Sequence, residues 1–154
     1  MQKKIFTFLL FLFLSSCGYE AIYSKKNSKN YNFFINKMSF AGDRDINLRM
    51  KERLYNYTFN EKNKNFELKI SNSSTKGIAA KNTLGDAVTF KNTVSTNIEV
   101  SMNGEFKNSF VIIESFIYNN NSNRFNLKRY EKEVKNNLAE TITDKLILKL
   151  SNIQ

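Results

Sequence analysis

The chain has 154 residues, of which 24 are Lys or Arg and 14 are Asp or Glu, so its formal net charge at pH 7 is +10. It contains no histidine and a single cysteine, Cys17, which excludes Ser–His and Cys–His catalytic pairs, metal sites built on His or Cys, and an intrachain disulfide. We therefore predict a basic protein that is not an enzyme and holds neither a metal nor a cofactor.

The amino terminus has the pattern of a lipoprotein signal peptide. Lys3 and Lys4 precede an apolar run over 5–14, which is too short to span a bilayer because a spanning helix needs about 20 residues. Two small serines then precede Cys17, as in the bacterial lipobox, where the thiol is acylated and cleavage falls before the cysteine. We predict that 1–16 is the signal peptide and that Cys17 carries the lipid anchor; a plain secreted protein with an unmodified cysteine is the alternative.

The predicted mature chain has two parts. Residues 17–30 are predicted to be a loose tether, because 24–30 is polar, charged and without periodicity, and 31–154 has the length of a single domain. Gly18 follows the cysteine where aspartate often retains a lipoprotein in the inner membrane, so we expect the outer membrane, with the domain on its periplasmic side. Secretion leaves anionic lipid or lipopolysaccharide, rather than nucleic acid, as the partner for the basic charge. The alternative is that the lysines reflect only an A/T-rich genome.

The first half of the domain predicts a strand, a helix and a second strand. Residues 31–40 have strand composition, and either Asp43 or Asp45 can cap a helix over 46–57. That helix would bury one stripe and turn its cations outward; the stripe is Ile46, Met50, Leu54 and Tyr57, and the cations are Arg49, Lys51 and Arg53. Strict alternation then predicts a half-buried strand, with Phe66, Leu68 and Ile70 inward.

A long β-hairpin follows over 86–118, with its turn at Asn103-Gly104. A three-residue loop from Met102 to Gly104 would set Val100 opposite Phe106 and Val94 opposite Ile112, whereas a two-residue loop would set Val100 opposite Lys107. Since apolar cross-strand pairs contribute about 0.2–1 kcal/mol each, the sequence favours the three-residue loop. Three apolar residues then remain on the outer face, where either another part of the chain or a partner covers them: Val111, Ile113 and Ile117.

The last element is a long amphipathic helix. Asn123 or Asn126 can cap it, and apolar residues recur every four positions up to Leu150: Tyr130, Val134, Leu138, Ile142, Leu146 and Leu150. Glu131 and Lys135 are predicted to form a solvated pair on its surface. The complete order of elements predicts an α+β fold, a two-layer sandwich in which a four-stranded, largely antiparallel sheet carries two helices on one face.

The chain resembles the LPS-assembly lipoprotein LptE family over essentially the whole mature sequence. The resemblance is carried by Cys17-Gly18-Tyr19, the cationic helix segment 44–54, the long hairpin after Gly85-Asp86 and the amphipathic end of the last helix, 145–150. Related sequences often have a proline shortly after the aromatic residue, where this chain has Ala21.

This resemblance implies a function. LptE proteins plug the lumen of the outer-membrane β-barrel LptD, assist its assembly and bind lipopolysaccharide through basic residues in the loop entering the hairpin and near the start of the last helix. The nearest cations here are Lys81, Lys128 and Arg129, which we predict to bind lipopolysaccharide, with solvated surface charges as the alternative. The outer-face line of Val111, Ile113 and Ile117 would contact the LptD-like partner. The alternative function is a protein-binding scaffold, an accessory lipoprotein of another outer-membrane assembly complex.

Overall fold

The structure, a computed structural model, describes residues 31–59 and 62–153. The predicted signal peptide at 1–16, the lipidation site Cys17 and the tether at 17–30 lie outside the described residues. The elements in chain order are β1 (Phe33–Gly42), α1 (Arg44–Tyr55), β2 (Lys64–Lys81), β3 (Ala87–Met102), β4 (Glu105–Asn119) and α2 (Arg124–Ser151). Neither helix combines the length with the hydropathy that a membrane span requires.

The four strands form one mixed sheet in the order β1-β2-β3-β4. Strand β1 runs parallel to β2, because α1 carries the chain back across the sheet, and the other neighbours are antiparallel. Helix α2 packs against α1, β3 and β4, and α1 packs against β1. Alternate residues of β2 and β3 are buried, so both helices cover one face of the sheet. The predicted α+β sandwich with two helices on one face is confirmed.

The core lies between the helices and this face of the sheet. Both predicted helical stripes supply it: α1 buries Ile46, Met50 and Leu54 completely, and α2 buries Val134, Leu138, Ile142, Leu146, Ile147 and Leu150. The first residue predicted for the α2 stripe, Tyr130, is 44% exposed instead. The stripe of α1 is shorter than predicted, because Tyr57 lies beyond the helix and stacks its ring on Phe33 at 5.3 Å. The prediction that all three α1 cations point outward is wrong for Arg49 and Arg53, which pair with Glu140 and Asp144 of α2.

The predicted hairpin is present, but its predicted register is wrong. Asn103 and Gly104 both have positive φ, 54° and 83°, and they form the two-residue loop that the sequence had disfavoured. A bulge at Lys107 then adds one residue to β4, so Val94 lies opposite Glu114 and Thr96 opposite Ile112. Because the bulge restores the alternation, residues 108–118 still face the sides of the sheet that the sequence predicted.

The junction between β1 and α1 is organised by Asp43. Its carboxylate caps α1 by accepting hydrogen bonds from the backbone N–H groups of Asp45 and Ile46, at 3.1 and 3.4 Å. It also accepts hydrogen bonds from Ser74 Oγ of β2 at 2.8 Å and Lys135 Nζ of α2 at 2.9 Å. Burial acts to raise the pKa of Asp43, but the hydrogen bonds from Lys135, Ser74 and Ile46 outweigh it and lower the pKa below its ordinary value.

Replacing Asp43 should therefore weaken the domain in a pH-dependent way. We expect Asp43→Ala to lower the free energy of unfolding at pH 7 by about 2 kcal/mol, since the cap and the contacts to β2 and α2 are lost together. Because the folded-state pKa is depressed, this contribution is present above the unfolded pKa of about 3.9 and is lost as the pH falls through the folded value.

Urea unfolding at pH 7 and pH 3, followed by circular dichroism, measures this difference. Asp43→Asn is the matched control, because asparagine keeps the helix cap and removes only the charge. An Asp43→Ala variant that is as destabilised at pH 3 as at pH 7 would contradict the pH-dependent role of the carboxylate.

Candidate functional site

The β2–β3 hairpin extends beyond the helices that cover the rest of the sheet. Burial along β2 ends at Asn72, and every residue of this strand from Thr75 to Lys81 is exposed. On β3 the buried positions begin only at Asn92. The final part of the hairpin is thus a two-stranded projection whose side chains are available to a ligand or partner.

The tip of this projection has a defined shape, set by Asn82. Its Oδ1 accepts hydrogen bonds from the backbone N–H groups of Leu84 at 3.0 Å and Asp86 at 2.8 Å, and its Nδ2 donates to the Asp86 carboxylate at 3.2 Å. Gly85, with φ of +88°, supplies the left-handed residue that closes the turn. These bonds leave the Leu84 side chain pointing into solvent, 85% exposed.

The start of α2 lies beside this projection. Asn120, in the loop before α2, donates from its backbone N–H to the Val88 carbonyl and from Nδ2 to the Ala87 carbonyl, both at 2.8 Å. Ala87 is the residue paired with Lys81 across the β2–β3 ladder. Asn123 then caps α2 by accepting hydrogen bonds from the backbone N–H groups of Phe125 and Asn126. The three cations predicted to bind lipopolysaccharide therefore share one end of the domain.

We call the segments 76–91 and 124–133 the cationic end. They carry seven Lys or Arg and three Asp or Glu. Within the described part of the chain, six of the seven cations make no hydrogen bond or ion pair with a side chain: Lys81, Lys91, Arg124, Lys128, Arg129 and Lys132. The seventh is Lys76, which pairs with Glu131. Lys81, Lys128 and Arg129, which the sequence predicted to bind lipopolysaccharide, are thus three members of this larger group of cations.

Several cations near the start of α2 occupy positions where they destabilise the helix. Arg124 occupies the first turn, which holds no acidic residue, although the helix dipole makes the amino-terminal end positive. Arg124, Lys128 and Lys132 also follow one another at intervals of four, so like charges lie on the same stripe of the helix. An anion bound at this end would relieve both arrangements.

A small polar and aromatic cluster holds the helix against the projection. The Tyr118 hydroxyl donates to Glu131 Oε1 at 3.1 Å, Lys76 Nζ donates to the same oxygen, and the ammonium lies 3.9 Å from the centre of the Phe90 ring. Burial raises the pKa of Tyr118 to about 12, and the Glu131 carboxylate adds to the rise. The predicted solvated pair of Glu131 with Lys135 is wrong, since Lys135 pairs with Asp43 instead.

A shallow, open cleft of about 280 Å³ lies between the end of β4 and the first turns of α2. Its walls combine four asparagines with two apolar or aromatic residues, and the lining residues are Asn119, Asn120, Asn121, Asn126, Leu127 and Tyr130. Several of these amides are already used to build the turn, because Asn120 Oδ1 and Asn121 Oδ1 accept backbone N–H groups at 2.9 and 2.8 Å. In the described residues, no group of three or more carboxylate, imidazole or thiol side chains is placed to hold a metal ion.

A second candidate surface is the outer-face line of β4. Val111, Ile113 and Ile117 are 56%, 60% and 57% exposed, on the face of the sheet opposite the helices. Their partners across the strand are polar, namely Asn97, Ser95 and Lys91. In the described chain, β4 has a neighbouring strand on one side only, so both its backbone edge and this apolar line are open to a partner.

Solved structures of bacterial lipoproteins share this fold. Rare lipoprotein B from Shewanella oneidensis matches with a TM-score of 0.56 and 16% identity, over 76% of this chain and 98% of that one. A candidate lipoprotein from Caulobacter crescentus matches with a TM-score of 0.56 and 15% identity, over 76% and 87%. A minor lipoprotein from Acinetobacter baumannii matches with a TM-score of 0.53 and 11% identity, over 77% and 92%. Identities this low show a shared fold alone.

No protein-family model and no curated protein sequence matches the chain significantly.

Proposed function

We propose that this chain is an outer-membrane lipoprotein, anchored on the periplasmic side through Cys17, that plugs an LptD-like β-barrel, assists its assembly and binds lipopolysaccharide. The observation that carries the proposal is the cationic end, where six unpaired Lys and Arg side chains surround an ordered tip and a helix amino terminus. The rest of the domain offers a mostly polar surface on which several apolar residues are exposed, among them the line on β4.

The chemistry of the cationic end suits a phosphorylated lipid. Guanidinium and ammonium groups form charge-assisted hydrogen bonds with phosphate, and backbone N–H groups at a helix amino terminus favour the same negative charge. Each phosphate bound here would also reduce the repulsion among Arg124, Lys128 and Lys132. Lys81 on β2 and Arg129 on α2 would contact the ligand from two different elements.

The lipid anchor accounts for the amino-terminal sequence. A cysteine preceded by two serines and an apolar run is the pattern that a lipoprotein signal peptidase reads, and this chain has no other cysteine. Two or more acyl chains hold a protein on a membrane stably, whereas one chain holds it only marginally. The bacterial lipoproteins that share the fold support the same assignment.

The outer face of the sheet suits the lumen of a barrel. A plug inside a water-filled lumen needs a polar surface with a few apolar contact points, and the open face combines serine, threonine and asparagine with the line of Val111, Ile113 and Ile117. A scaffold in another assembly complex would use this surface as well, but that function leaves the unpaired cations without a role.

A pull-down from detergent-solubilised outer membrane tests the proposal. The wild-type chain should copurify with one large barrel protein, and several different assembly subunits would instead indicate the scaffold. We expect Ile113→Asp to reduce recovery of the barrel about tenfold, because a charge would lie in the contact, with little effect on folding since Ile113 is mostly exposed. Leu48→Asp, on the exposed side of α1, is the matched control. Undiminished recovery with Ile113→Asp would remove the apolar line from the interface.

A further inference from the structure

The cationic end also exposes large apolar side chains. Of the large hydrophobic residues in the described chain, Leu84 and Phe125 are the two most exposed, at 85% and 75%. Leu84 lies at the tip of the β2–β3 hairpin and Phe125 in the first turn of α2. Ile78 and Val88, on the two strands of the same hairpin, are also exposed.

The backbone that carries Leu84 and Phe125 is fixed by hydrogen bonds. The bonds that Asn82 makes to Leu84 and Asp86 fix the tip, and the hydrogen bond from the Phe125 N–H to Asn123 fixes the first turn of the helix. Neither side chain packs into the core, so neither contributes much to stability. An exposed apolar group on an ordered backbone is prepared to bury its surface against a ligand without a large loss of conformational entropy.

The charges around them restrict what that ligand is. A purely apolar partner would desolvate Lys81, Lys128 and Arg129 without giving them a counter-charge, at a considerable energetic penalty. A purely hydrophilic anion would leave Leu84 and Phe125 in water. An amphiphile with an anionic head and hydrocarbon chains satisfies both groups, as in proteins that bind membrane interfaces through adjacent cations and apolar residues.

We infer that the cationic end recognises the acyl chains of its lipid ligand as well as the phosphates, with Leu84 and Phe125 as the apolar contacts. This inference rests on the proposed function, since it takes lipopolysaccharide as the ligand. The unpaired cations bind the phosphorylated head, and the two exposed side chains bury against hydrocarbon that lies next to it.

The test compares two probes, lipopolysaccharide and the same lipopolysaccharide after its acyl chains have been removed. We expect Leu84→Asn and Phe125→Asn each to weaken binding of the intact lipid about tenfold, because burial of one large apolar side chain is worth at least one such factor. Binding of the deacylated form should be unchanged, since its phosphates still meet the same cations. Leu48→Asn, which alters an exposed leucine of α1 outside the cationic end, should change neither affinity.

The outcomes separate this inference from the proposed function. If the wild-type chain binds both probes and the two variants bind intact lipid normally, or lose both probes equally, acyl recognition by Leu84 and Phe125 is overturned while lipopolysaccharide binding stands. If the wild-type chain binds neither probe, both proposals fail. Circular dichroism of each variant establishes that the substitution has left the fold intact.

Discussion

Gly42→Ala is expected to destabilise the domain by about 3 to 4 kcal/mol, or to prevent its folding at 37 °C. Gly42 has φ of +87°, and a Cβ on this backbone would lie 1.8 Å from the carbonyl oxygen of Asn72. That oxygen cannot retreat without loss, because it accepts the hydrogen bond from the Asp43 N–H at 3.0 Å. A methyl group at position 42 would therefore push β1 away from β2 at the residue before the helix cap.

Substitutions at two other glycines separate the steric clash at Gly42 from the strain of a left-handed backbone. Gly104 has φ of +83° but nothing within 4 Å of its Cβ position, so Gly104→Ala should cost only the left-handed strain, about 1 kcal/mol. Gly77 has neither a positive φ nor an atom within 4 Å of its Cβ position. Gly77→Ala should therefore be neutral or stabilising by up to about 1 kcal/mol. Urea unfolding of the three variants in a non-lipidated Cys17→Ala background should rank them in this order. Equal stability of the Gly42→Ala and Gly104→Ala proteins would refute the steric argument.

Reversing the three predicted lipid-binding cations should weaken binding of lipopolysaccharide about a hundredfold. Each cation near an anionic lipid surface contributes about 1 kcal/mol, so the loss of Lys81, Lys128 and Arg129 corresponds to about 3 kcal/mol. Changing all three to Glu should also make the remaining binding less sensitive to salt, because fewer charged contacts are screened. The dissociation constant at two ionic strengths is the measurement.

The control is a second triple reversal with the same change in net charge. Lys37, Arg44 and Lys51 are exposed, lie outside the cationic end and have no ion pair with other described residues. Their replacement by Glu should change the affinity less than about threefold at physiological salt, where charges more than about 8 Å away are screened. Similar losses in both triple variants would mean that net charge, and not this end of the domain, governs binding.

The helices and the layer order could be predicted because each depends on local signals that agree. Asp43 and Asn123 are the caps that the sequence offered, and the apolar residues of both helices recur at helical spacing. The β3–β4 register could not be predicted from cross-strand pairing. The energy of one such pair is small, and the positive-φ turn at Asn103-Gly104 together with the bulge at Lys107 determined the alignment instead.

Only part of the candidate site could be predicted from the sequence, and the reason differs from that for the register. The second half of β2, from Ser71 to Lys81, has no apolar alternation, so nothing in it predicts that the strand continues beyond the helices. Without that length, Lys81 and Leu84 could not be placed beside the start of α2. The spacing of Arg124, Lys128 and Lys132 by four was readable in the sequence and could have identified the wider cationic stripe. The binding roles of Lys81, Lys128 and Arg129 stay predictions, as does the partner contact of the β4 line.

Lys107 makes the orientation of most of β4 depend on one residue. Inserting one further residue between Gly104 and Asn108 while the ladder keeps a single bulge would shift the pairing by one residue. Ile112 and Tyr118 would then leave the interior, and Ile113 and Ile117 would enter it. Length changes at the other turn, around Asn82, carry no such penalty, since no helix lies over that end of the hairpin. Of the two turns, the one around Asn82 is therefore the one that can be lengthened without turning core residues of β4 to the outer face.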